Sequence, residues 1–317
     1  MKHKISITLL LLSMFLVTQF IGLYVVGQYA PKLVISFNQT TNQTESEIVK
    51  NVLPYGLSND DNKPDFIGII FSFIIAFLLI FALMKYKWKI IMKLWFFLVV
   101  VVALSISFYA MMVGKIMYAQ IIALSIGFIF AVLKIYRPNV FIHNATELLI
   151  YPGIASIFVE ILNPISIIFL LIIISIYDIW AVWHSQIMQK MAKFQMEELN
   201  LFGGFLVPTM SKKIREKIRL IRQKYKNKEI PKGLKKKKFK VNLAILGGGD
   251  IIFPIITSGI FMRTYGLTAA LLITGGAFAG LAFLFAITKK GKAYPAMPYI
   301  SVGIFLAMIV GKIGGIF

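Results

Sequence analysis

The chain has 317 residues, of which 58% are hydrophobic and only 15% charged, and its mean hydropathy is +0.80. A soluble globular chain carries about 25% charged residues to cover its surface, so this composition excludes an ordinary water-soluble domain and points to a bilayer as solvent. The formal charge of +21 would suggest nucleic acid on a soluble protein, but here the Lys and Arg cluster in alternate loops, as the positive-inside bias demands, and no nucleic-acid partner is expected.

Nine apolar segments follow one another, at about 5–30, 65–84, 90–114, 116–133, 141–162, 164–184, 241–262, 266–288 and 294–316. The first carries only Lys2 and Lys4 ahead of a stretch too long for a signal-peptide core, with no small-residue cleavage site, so it reads as a span. With the N-terminus in the cytoplasm, the pieces 1–4, 85–93, 134–137, 185–240 and 289–292 are cytoplasmic. They hold every Lys and Arg except Lys32, Lys50, Lys63, Lys115, Arg263 and Lys312. The expectation is one polytopic, all-α membrane domain over 1–317, with nine transmembrane helices, the N-terminus cytoplasmic and the C-terminus outside.

The loop 31–63 is then external, and it carries the glycosylation acceptors Asn38-Gln39-Thr40 and Asn42-Gln43-Thr44. A third match, Asn144-Ala145-Thr146, falls at a span edge on the cytoplasmic side and reads as chance. The loop 185–240 begins with Ile187, Met191, Phe194 and Leu199 at roughly helical spacing among Lys and Glu, an amphipathic continuation of the sixth span. Its basic remainder reads first as a solvated, topology-fixing loop, and second as a surface for anionic lipid.

Candidate chemistry is narrowed by elimination. There is no cysteine, which removes thiolate nucleophiles and Cys-based metal sites. His3, His143 and His184 are far apart and cannot pair at helical spacing, so no metal and no cofactor is expected. Of thirteen acidic residues, five lie in or beside the first external loop, Asp65 at its edge, and four in the 185–240 loop, which leaves Glu147, Glu160, Asp178 and Asp250 in or near spans. A carboxylate at a helix centre costs about 2.5–3.5 kcal/mol on insertion scales, so each is a candidate for function. Glu147 and Glu160 lie near opposite ends of the fifth span and read as hydrogen-bonded or solvated end residues.

Asp178 and Asp250 are different. Along an ideal helix, Asp178 lies about 9 Å inside the cytoplasmic end of the sixth span and Asp250 about 14 Å inside that of the seventh. No Lys, Arg or His falls within either apolar core; His184 is at the edge. The nearest plausible partner of each Asp is therefore the other. Two facing carboxyls in a low-dielectric site hold one proton between them. That is the state peptide hydrolysis needs: the ionised Asp takes a proton from water while the protonated one polarises the scissile carbonyl. Gly247, Gly248 and Gly249 directly precede Asp250 and allow a second backbone to come close, although small residues also serve helix packing. Pro295 and Pro298 open the ninth span with an irregular turn.

Three pieces thus occur in order: Tyr177-Asp178, Gly247-Gly248-Gly249-Asp250, and Pro295-Ala296-Met297. The ordered set resembles the presenilin and signal-peptide-peptidase superfamily of intramembrane aspartyl proteases, whose signatures are YD, GxGD and PAL in the corresponding spans. Met297 stands where the family has Leu, a residue of similar volume that is likewise unbranched at Cβ. The resemblance implies that Asp178 and Asp250 are the catalytic aspartates and that Tyr177 flanks them. Gly247, Gly248 and Gly249 would shape a close approach, and Pro295, Ala296 and Met297 the adjoining pocket. It further implies an endopeptidase cutting transmembrane segments of membrane proteins or signal peptides, without metal. The loop orientation resembles presenilins, and the chain resembles a compact microbial homologue that works in the cell membrane without accessory subunits, with a homo-oligomer left open.

Residues 235–246 also alternate Phe239, Val241 and Leu243, a pattern equally consistent with a helix start or with an edge strand that pairs with an extended substrate. Three rivals remain at this point. One is a proton- or cation-conducting transporter or leak channel using the same aspartates. Another is a prepilin or preflagellin type of GxGD peptidase, and the third a catalytically dead membrane scaffold.

Overall fold

The computed structural model describes residues 5–30, 32–38, 43–49, 52–56, 66–86, 88–137, 139–185, 203–209, 242–288 and 294–317. These residues form nine long helices: α1 (Ile5–Tyr29), α2 (Phe66–Lys85), α3 (Lys89–Met112), α4 (Ala119–Tyr136), α5 (Val140–Ile161), α6 (Pro164–Trp180), α7 (Gly248–Tyr265), α8 (Leu267–Ile287) and α9 (Met297–Ile313). Five helical stretches, namely α1, α3, α4, α8 and the 21 residues Pro164–His184, are long and apolar enough to cross a membrane. The helix ends follow local chemistry. Asn139 caps α5 by accepting from the Phe141 N–H at 2.9 Å, and Asn163 caps α6 by accepting from the Ser166 N–H at 2.8 Å, with Pro164 at the first helical position.

The fold is not wholly helical. Two antiparallel strand pairs accompany the helices: β1 (Lys32–Asn38) with β2 (Gln43–Val49), and β3 (Gly204–Thr209) with β4 (Asn242–Gly247). The second corrects the expectation of a helical span from 241. Residues 242–247 are extended, and α7 begins only at Gly248. Glycines are poor helix formers, and the strand has a partner: Phe205 pairs with Leu246 and Val207 with Ala244, and all four side chains are buried in the main core. Leu243 lies in β4; Phe239 and Val241 lie outside the described residues, as do Ile187, Met191, Phe194, Leu199 and the basic run of the 185–240 loop. After α6 the chain makes one wider, π-type turn at Ala181–Ser185.

The core that holds the site is built by α1, α5, α6, α7, α8 and α9. α1 packs one face into it, with Leu11 and Phe15 fully enclosed. Its Gln19 amide donates to the Ile251 carbonyl of α7 at 3.0 Å. Small residues let backbones cross closely, since lipid supplies no hydrophobic drive between helices. A Cβ on Gly153 would strike the Ala103 backbone of α3, and one on Gly276 or Gly280 would strike the Gly303 or Tyr299 carbonyl of α9.

Candidate active site

The four in-span carboxylates fall into two classes. Glu147 pairs with Lys134 of α4 at 2.6 Å, and Glu160 with Arg263 of α7 at 3.0 Å. Both are structural ion pairs between neighbouring helices. Asp178 and Asp250 have no ion pair among the described residues, and each lies within electrostatic reach of the other. Asp178 is buried near the end of α6, two residues before Trp180; Asp250 is the third residue of α7. The late start of α7 corrects the expected depth of Asp250: it sits in the first helical turn, not nine or ten residues in. Both aspartates now lie one turn from the facing ends of their helices.

Each carboxylate is held by backbone. The Met297 N–H donates to Asp178 Oδ2 at 3.0 Å, and the Ala296 N–H also faces it. The first turn of a helix has N–H groups with no intrahelical acceptor and a positive dipole end, so the carboxylate of α6 acts as the cap of α9. Asp250 folds back on the entry of its own helix, where the Gly247 N–H faces its carboxylate. This is half of a capping box, with the third helical residue reaching back to the N-cap.

The flanking residues divide. Gly247 ends β4, and a Cβ there would lie 3.1 Å from Asp250 Oδ2. A Cβ on Gly248 would lie 3.0 Å from the Tyr151 ring and hydroxyl. Gly249 is exposed and its nearest neighbour would be Phe253 at 3.9 Å. A side chain would thus be tight against the protein's own Asp250 and Tyr151 at 247 and 248, while 249 faces open space. Pro295 and Met297 are buried behind Asp178, with Ala296 between them half-buried. Tyr177 is 40% exposed with its ring tilted on Trp180 at 6.3 Å, while its hydroxyl stays within electrostatic reach of Asp178.

Three residues that sequence reasoning missed complete the surroundings. Gln19 fixes the residue after Asp250. Tyr151 of α5 packs edge-on against Phe205 of β3, with ring centroids 6.0 Å apart, and lies against Gly248. Asn144 bonds Leu206 of β3 twice, donating to its carbonyl at 2.8 Å and accepting from its N–H at 3.0 Å.

A family model described as signal-peptide peptidase, presenilin aspartyl protease matches residues 51–315. The chain belongs to that family. It is a multi-pass membrane protein of the presenilin and signal-peptide-peptidase kind. Two solved structures of a presenilin family intramembrane aspartate protease share its fold. The one in space group C222 has a TM-score of 0.58 and 18% identity, covering 96% of this chain and 98% of the other. The one in space group P2 has a TM-score of 0.55 and 17% identity, covering 96% of each chain. No curated protein sequence matches the chain.

Proposed function

We propose that this family member is an intramembrane aspartyl endopeptidase whose working pair is Asp178 and Asp250. One observation carries the reading: of four carboxylates in the spans, two are neutralised by cations, and the two without an ion pair among the described residues lie on the packed helices α6 and α7 within electrostatic reach of each other. Burying an unpaired carboxylate is costly, and a pair sharing one proton lowers that cost while leaving one acid and one base in place. The ionised carboxylate accepts a proton from water as its oxygen attacks the scissile carbonyl carbon. The protonated carboxyl donates to the carbonyl oxygen. Proton transfer to the amide nitrogen then breaks the C–N bond, releasing an amine and a carboxylic acid.

The substrate class is a transmembrane segment locally unwound at the cut. Gly249, beside Asp250 and with open space around it, suits the approach of a second backbone. β4 suits an added strand. Asn144 takes both main-chain groups of Leu206, which therefore point away from β4; in an antiparallel pair those of its opposite residue, Ile245, then point away from β3. The outer edge of β4 leads directly to Gly247 and Asp250, so an extended substrate on it would be delivered to the pair. Topology with the N-terminus and the 185–240 loop in the cytoplasm rests on the charge distribution.

The deciding experiment is cleavage of a model transmembrane peptide by the detergent-purified protein. Asp178→Asn and Asp250→Asn should each cut the rate by at least about a hundredfold, the scale of acid–base catalysis, and an aspartyl-protease transition-state mimic should block the wild type. Ion flux in liposomes with no peptide product would refute the protease reading and favour a transporter.

A further inference from the structure

Asp250 sits in the first turn of α7 directly after a strand, and a two-stranded sheet is only marginally stable unless something covers it. Its inner face is covered by the core, through Phe205, Val207, Ala244 and Leu246. Its β3 edge is closed in a less usual way. The side-chain amide of Asn144 on α5 makes both hydrogen bonds that a neighbouring strand would make to Leu206, at 2.8 and 3.0 Å. One residue earlier on the same helix, His143 Nε2 lies 2.8 Å from the Gly204 carbonyl, which by register faces the same edge. Two turns further along α5, Tyr151 packs on Phe205 and occupies the space a side chain on Gly248 would need. The α5 segment beneath these contacts is fastened to α4 by the buried Lys134–Glu147 pair. One rigid helix face therefore holds β3, and through the ladder β4, up to the residue whose N–H meets the Asp250 carboxylate.

We propose that Asn144 is a positioning residue for Asp250, acting through β3 and β4: it serves as a fixed third strand that sets the register and orientation of the sheet from which the aspartate is presented. This rests on the protease reading above. It also gives Asn144-Ala145-Thr146 a role unrelated to glycosylation, since the Asn144 amide is already committed to the backbone of Leu206.

The test compares Asn144→Ala with Asn139→Ala in the full-length, detergent-purified protein, using the model transmembrane peptide and amide hydrogen exchange. Asn139 caps the same helix by bonding the Phe141 N–H of its own first turn and shows no hydrogen bond to the sheet among the described residues. Removing Asn144 should lower kcat by about tenfold or more with KM within about threefold, because small misplacement of a catalytic group is costly even when binding persists. It should also remove exchange protection at the Leu206 N–H and weaken it along Asn242–Gly247. Asn139→Ala should leave kcat within about twofold, an N-cap loss being confined to helix stability. Wild-type kcat in Asn144→Ala, or an equal loss in Asn139→Ala, overturns the proposal. If Asp250→Asn still cleaves, or the wild type never does, the protease reading fails instead. Exchange then decides alone: unchanged protection at Leu206 in Asn144→Ala overturns the positioning role, and lost protection spreading to β4 supports it.

Discussion

The backbone N–H of Met297 donates to Oδ2 of Asp178 at 3.0 Å, joining the end of α6 to the start of α9. A hydrogen bond to a charged group contributes about 1.5–3 kcal/mol, and this one fixes which way the carboxylate faces. Met297→Pro deletes that donor at a first helical position, where proline is otherwise tolerated. We expect kcat for peptide cleavage to fall by about tenfold or more, in line with the loss of that bond. Met297→Leu keeps both the N–H and nearly the volume, so its kcat should stay within about threefold. Equal kcat in the two variants would remove Asp178 capping from the mechanism.

Proline also separates the two edges of β4. At Ile245, whose N–H points away from β3, it removes only an outward donor, as edge strands tolerate. Ile245→Pro should leave the thermal unfolding midpoint nearly unchanged and raise KM for the transmembrane peptide. Ala244 pairs with Val207 inside the ladder. Ala244→Pro should destabilise the fold by about 1–3 kcal/mol through an unmade buried hydrogen bond. Unaltered peptide kinetics in Ile245→Pro would end the added-strand idea.

The Lys134–Glu147 pair is almost fully enclosed, with side chains 3% and 2% accessible. Removing one partner leaves an uncompensated buried charge, so Lys134→Met should cost about 3–5 kcal/mol. Lys134→Met with Glu147→Leu should recover most of that loss in chemical unfolding, since apolar replacement of a whole buried pair is often neutral.

Gly248 and Gly249 should respond in opposite ways. Gly248→Ala presses a methyl group on Tyr151 and should destabilise by about 1–3 kcal/mol, the range for overpacking. Gly249→Ala meets nothing closer than 3.9 Å and should raise stability by up to about 1 kcal/mol through helix propensity. Paired unfolding curves for the two variants check the contrast.

Much of this was legible in the sequence. The count of nine apolar runs fits the nine long helices among the described residues, because a helix crossing a bilayer must satisfy its own backbone and so leaves a long, uniform apolar signature. Asp178 and Asp250 stood out because carboxylates are rare in such runs. What failed was the entry to α7. Leu243, Ala244, Ile245 and Leu246 are apolar on both faces of the strand, so no period of two appeared to set it apart from a buried helix. The Lys134–Glu147 pairing and the attachment of Asn144 to Leu206 depend on segments brought together only by the tertiary fold. Gln19 could have been noticed as a solitary amide in an apolar stretch, though its partner at Ile251 could not.

The dependence of Asp178 on Met297 has a consequence for biosynthesis. A ribosome delivers both aspartates well before it delivers the donor that orients the first of them. On the proposed mechanism, a nascent chain halted after α8 would hold both aspartates with Asp178 unaligned. Hydrolytic competence would then arrive only when α9 docks and supplies that donor.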